Sequence, residues 1–218
     1  MNTLTKRLYG ILLLTLLANA SAIAADLDTD LLSIQQAWAA ANYETPAGDA
    51  REKAFDKLSS DADAFVHKYP NRAEPLIWQG IVLSTYAGVK GGLGALGLAK
   101  KSRAALEAAL KIDPNALEGS AYTSLGTLYY KVPGFPLGFG DDDKAQQYLE
   151  KALALNPGGI DPNYFYGDYL FAHKQYTQAL HHLQIALRAP ARPGREVADR
   201  GRKEEVQALL TKVNARLG

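Results

Sequence analysis

The chain has 218 residues, a formal net charge of +1 at pH 7 and no cysteine. Without cysteine, disulfides, thiolate metal sites, a cysteine nucleophile and a bacterial lipid anchor are excluded together. Near-neutral charge gives no broad pull towards nucleic acid or anionic membrane, so neither is expected as a partner.

Residues 1–24 read as an export signal. Lys6 and Arg7 form a basic start, Leu8 to Leu17 is almost wholly apolar, and Ala22-Ile23-Ala24 fits a small-residue cleavage site. The apolar run is ten residues, too short to span a bilayer. The expectation is a periplasmic protein that is exported, soluble and not lipidated, with residues 25–218 forming its folded domain.

Helix signals then follow one another. Residues 27–42 place Leu31, Ile34, Ala37 and Trp38 on one face, and Thr45-Pro46-Ala47-Gly48 ends that helix. A second helix over 49–68 stops before Tyr69-Pro70-Asn71. The next pair covers 73–87 and 98–112, closed by Asp113-Pro114-Asn115. Helices over 118–130 and 142–155 make a third pair, and 163–172 with 176–187 a fourth. Residues 202–217 finish the chain with Val206, Leu209, Leu210, Val213 and Leu217 at helical spacing, as a cap for the last pair.

A spaced pattern recurs across these pairs. Ala145, Leu149, Ala152 and Pro157 stand at offsets 0, 4, 7 and 12, as do Ser102, Leu106, Ala109 and Pro114. Ala179, Leu183 and Ala186 repeat it, with Pro190 one residue early, and Gly80, Gly126 and Gly167 precede the three copies. A small residue on one helix, then a small–large–small stripe on the next, describes a helical hairpin that stacks into an array. The pattern resembles the tetratricopeptide repeat (TPR) family over roughly residues 70–190. That resemblance implies an all-α solenoid of about four hairpins plus a C-terminal capping helix, acting as a protein-binding scaffold.

The spacing from glycine to stripe is 12 residues in the last copy, but 19 from Gly126 to Ala145 and 22 from Gly80 to Ser102. The extra residues, YAGVKGGLGALGLAKK and KVPGFPLGFGDDDK, read as two inserted loops. The second, with the LEKALALNPGGIDPNYFYGDYL that follows it, resembles exported TatT-type accessory components of TRAP transporters. This narrower resemblance implies a periplasmic solute-binding protein as partner, and self-association around a ligand-conducting cavity.

Candidate chemistry is sparse. Gly92 to Gly97 fits G-x-G-x-x-G, but a helix precedes it and no βαβ unit follows, so no cofactor is expected. Asp141-Asp142-Asp143 reads as a helix start rather than a calcium loop. His67, His173, His181 and His182 lack the convergence a zinc site needs, and no metal is expected. Arg188 to Arg195 is locally basic and reads as a solvated linker, with an anion clamp as the alternative.

The aromatic stretch from Tyr164 to Phe171 is the most distinctive cluster. With Gly167 on the packed face, Tyr164, Asp168 and Phe171 should point into the concave groove. Thr127, Tyr130 and Lys131, with Thr123, are their counterparts one hairpin earlier, and Phe135 and Phe139 belong to the second inserted loop. The favoured reading is a non-enzymatic interaction or scaffold protein that engages a protein or peptide. The alternative is a small-ligand carrier whose aromatic pocket, lined by Tyr164 and Phe171, is roofed by the inserted loops. An enzyme is the weakest reading, because no catalytic constellation is visible.

Overall fold

The computed structural model describes residues 25–218, which form nine α-helices, with proline or glycine at every joint but the α7–α8 turn, where Lys174 takes a left-handed φ of +61°. The expected export signal, 1–24, lies outside the described residues. Helix α1 covers 25–39 and continues as a π-helical turn at Ala40–Glu44. It pairs with α2 (Asp49–Lys68); α3 (Ala73–Lys90) pairs with α4 (Gly92–Ile112). Helix α5 (Ser120–Lys131) pairs with α6 (Asp142–Leu155), and α7 (Ile160–Ala172) with α8 (Tyr176–Arg188). A final helix, α9, spans Glu196–Leu217. The described residues hold no strand ladder, and none of their helices is long and apolar enough to cross a membrane.

The three glycines do what their spacing foretold. A Cβ on Gly80 would sit 2.5 Å from Leu106 Cγ, one on Gly126 2.6 Å from Leu149 Cγ, and one on Gly167 2.9 Å from Leu183 Cγ. Leu106, Leu149 and Leu183 are completely buried, so each leucine occupies the space its glycine leaves empty. Ser102, which replaces alanine in the first copy, donates its hydroxyl proton to the Gly80 carbonyl at 2.6 Å. A polar residue is thus satisfied inside an apolar seam.

The two insertions differ from one another. The first is not a loop: α3 runs on to Lys90, and α4 starts at Gly92, after a one-residue joint. Gly91 and Gly92 have φ of +61° and +57°, left-handed values that reverse the chain abruptly. Beyond them Ala95 and Leu98 pack on the core, which gives the glycine-rich segment the buried face a helix needs. The second insertion, 132–141, does remain a loop. Asp141 closes it by accepting from the Lys144 amide at 3.0 Å, as an N-cap.

Helix α9 begins earlier than its apolar spacing suggested and reaches further. Its C-terminal half packs Val206, Leu209, Leu210 and Val213 into the same core cluster as α7 and α8, covering the last hairpin. Its N-terminal half returns to α1. Ala198 belongs to the cluster of Trp38 and Trp78, a Cβ on Gly201 would strike the Tyr43 ring, and Arg200 pairs with Glu44 at 3.0 Å. The first and last parts of the array are therefore joined across the concave side.

Candidate functional site

The first helices of all four hairpins, α1, α3, α5 and α7, line a single cavity of about 660 Å³ on that concave side. Segment 189–195 and the start of α9 complete it. Trp38, Trp78, Ile81, Leu117 and Phe165 supply apolar wall; Ser84, Ser120, Thr123, Ser124 and Thr127 supply hydroxyls. The Ser84, Ser120 and Thr127 hydroxyls donate to carbonyls of their own turns, at 2.9, 2.7 and 2.8 Å. Their oxygens remain free as acceptors towards the cavity.

Two local devices place the walls. Asn163, fully buried, donates from its side-chain amide to the Pro157 and Gly159 carbonyls at 2.8 and 2.9 Å and so fixes the turn that starts α7. Between α4 and α5, Leu117, Glu118 and Gly119 have φ of +48°, +53° and +78°. A left-handed conformation costs an L-residue about 1–2 kcal/mol. Held in that conformation, Leu117 and Glu118 both reach the cavity.

The wall from α7 and α9 is ionic. Asp161 accepts from Arg202 Nε at 2.9 Å and from Arg192 at 2.7 Å. Arg192 also bonds Asp199, at 2.7 Å, and Arg202 pairs with Glu205 at 2.5 Å. Burial pushes the Asp161 carboxyl up, but Arg202 and Arg192 outweigh it and hold it at about 2. Arg202 is driven upward from its ordinary value: burial opposes its charge, but Asp161, Tyr43 and Glu205 prevail. Arg195 differs from both. It forms no ion pair among the described residues, its Nε is buried without a partner, and its guanidinium lies 5.2 Å over the Trp78 ring. Burial, then the nearby Arg192, lowers its pKa to about 10.

The residues singled out from sequence fall into three places. Thr127 lines the cavity. Tyr130, Lys131 and Asp168 meet: the Tyr130 hydroxyl donates to Asp168 Oδ2, and Lys131 Nζ lies 2.7 Å from the same oxygen. Burial and then Asp168 raise the Tyr130 phenol well above its usual range. Tyr164 is covered by α9, with the Arg202 guanidinium 4.6 Å from its ring, and burial leads the rise of its pKa to about 12. Phe171 leans on Tyr176 at 5.6 Å, and neither it nor Tyr164 lines the cavity. Phe139 stacks edge-on against Tyr129 and lies under Arg103. Phe135, by contrast, is 93% exposed.

Inserted loops do not roof the cavity, contrary to the small-ligand expectation: one insertion became helix, and no residue of 132–141 lines it. The basic segment is the larger correction. Far from a solvated linker, it carries Arg192 and Arg195 into the wall, because Asp161 and Asp199 wait there to receive a guanidinium. The signal in the sequence was the series of arginines and acids straddling Pro193-Gly194. Trp38 and Trp78 gave none, since a buried tryptophan reads as core.

No family model and no curated protein matches this chain. Among solved structures, it resembles TTC0263, a thermophilic TPR protein of Thermus thermophilus, at 14% identity, with a TM-score of 0.53 over 84% of this chain and 99% of that one. MamA gives 18% identity and a TM-score of 0.43 over 75% and 89%. PilF of Pseudomonas aeruginosa gives 14% and 0.36 over 86% and 93%. The first of these likenesses agrees with the TPR-like hairpin solenoid that the helices form.

Proposed function

We propose that this protein is an exported scaffold that docks on another protein, and that the 132–141 loop is its point of contact. One observation carries the reading: Phe135 and Leu137 are 93% and 74% exposed on a loop that is nevertheless tied down. Gly138 and Gly140 donate their amides to Gly134 and Pro133 at 3.0 and 2.9 Å, and Asp141 to Tyr129 at 2.9 Å. Phe139 anchors the loop on Tyr129 and Arg103. Two large apolar side chains held in water by an ordered loop fit burial by a partner. The PGFP and GFGDDDKA segments of this loop support a TatT-type role, with a periplasmic solute-binding protein as the partner. The export-signal reading of residues 1–24 supports the exported part of the proposal.

Affinity capture from periplasmic extract tests the docking, comparing wild type with a Phe135→Ser/Leu137→Ser variant. A solute-binding protein recovered by the first and lost from the second supports the reading. Equal recovery of every protein by both removes the loop from it. A secreted product still beginning at Met1 would defeat the processing step.

A further inference from the structure

We propose that the cavity is a binding site for a small organic carboxylate with a flat apolar body, and that Arg195 takes the carboxylate. This site is separate from the docking loop, since no residue of 132–141 lines it.

Its size and enclosure suit a small molecule. About 660 Å³ lies within the roughly 300–1,000 Å³ usual for such sites, and segment 189–195 with the start of α9 supplies one wall. The charge pattern then selects an anion. Of three arginines on the wall, Arg192 and Arg202 are saturated by Asp161, Asp199 and Glu205. Arg195 is left over, with its Nε out of solvent and without an acceptor. An N–H removed from water and left without an acceptor is destabilising, and the nearby charge of Arg192 opposes that of Arg195. An anion beside Arg195 relieves both.

Neutral donors point the same way. Trp78 is 4% exposed, and its indole N–H is also buried without an acceptor. Helix α7 begins at the same wall with no side-chain cap, which leaves the Ile160 and Asp161 amides available to an anion, Pro162 having none. A carboxylate has acceptors for several such donors at once. The acids of the wall do not compete: Asp161 is consumed by its two arginines, and Glu118, at the exposed rim, accepts from Asn156 at 2.7 Å. Ile81, Leu117 and Phe165 give the flat body apolar surface.

The chain has two tryptophans, Trp38 and Trp78, and both line this cavity, so intrinsic fluorescence reports its occupancy directly. The probes are phenylacetate and its neutral isostere phenylacetamide, titrated into the full mature chain with calorimetry as a second readout. Saturable binding of phenylacetate, at least about tenfold tighter than the amide, is expected. Arg195→Gln should bring the acid down to the level of the amide while the circular dichroism spectrum and the amide's own affinity stay unchanged. Acid and amide binding alike, no saturable response to either, or full acid affinity in Arg195→Gln would each overturn the assignment. The acid–amide comparison on wild type stands even if the variant does not fold.

Discussion

The seams within the hairpins and the seam made by α9 are built by opposite means. Within a hairpin, a missing side chain admits a leucine, as at Gly126 and Leu149, and the buried polar side chains Ser102 and Asn163 are each satisfied by a neutral hydrogen bond across the seam, to the Gly80 carbonyl and to His182. Where α9 returns across the concave side, the contact is an ion cluster in which Asp161 is shared by Arg192 and Arg202. Shape alone fixes the first kind, and it repeats wherever the glycine–leucine register repeats. The second requires particular partners from α7, α9 and segment 189–195, so it occurs once and sets where the basic segment lies. A half-buried ion cluster adds little stability over apolar packing, yet losing a partner of its buried member, Arg202, is expensive. The difference separates what holds the array together from what shapes its cavity.

The largest test of this contrast is to fill an apolar seam. Gly126→Leu places a side chain where Leu149 Cγ already lies 2.6 Å, and the Ala145 carbonyl 3.0 Å, from a Cβ. A loss of about 3 kcal/mol or more in urea denaturation is expected. An unchanged midpoint would mean that the glycine does not set the helix spacing. Removing the hub of the ionic seam comes next. Asp161→Ala leaves Arg202, 9% exposed, with Glu205 alone, and should cost about 2–3 kcal/mol. A thermal midpoint equal to wild type would show that the cluster is idle.

Acid should separate the two seams without mutation. The Asp161 carboxyl is held at about 2 in the fold against an ordinary 3.8, so its contribution is complete above pH 4 and lost as pH falls through about 2. That amounts to about 2 kcal/mol. Asp161→Asn should flatten this part of the stability–pH curve, whereas Gly126→Ala should lower the curve without changing its slope. A slope that Asp161→Asn leaves intact would assign the acid sensitivity elsewhere. The smallest effect belongs to the loop. Phe135→Ser/Leu137→Ser should move stability by no more than about 0.5 kcal/mol, because exposed side chains have little packing to lose. A larger drop on calorimetry would make these residues part of the core and remove the case for docking.

How much was legible follows from the same contrast. The hairpin seams could be read because glycine, leucine and alanine recur at fixed offsets, so a local pattern carries a local structure. The meeting of Tyr130 and Lys131 with Asp168 was also within reach, since equivalent positions on successive hairpins are neighbours. The first insertion misled because its glycines suggest a loop. Two of them, Gly91 and Gly92, make the reversal, while Ala95 and Leu98 give the rest a helical face. The cavity was hidden for a different reason. Trp38 and Trp78 meet as neighbours on successive hairpins, but Arg195 joins them only because the chain returns to α1 at the start of α9, and no spacing along the chain encodes so distant a contact.

That return has one more consequence. Repeat arrays ordinarily lengthen by duplication, each new unit docking on an open end. Here Gly201 must still meet the Tyr43 ring, and Gln36 the Gly194 carbonyl at 3.1 Å. A fifth hairpin would push those pairs apart, so α9 acts as a ruler that limits the protein to the number of units it can reach across.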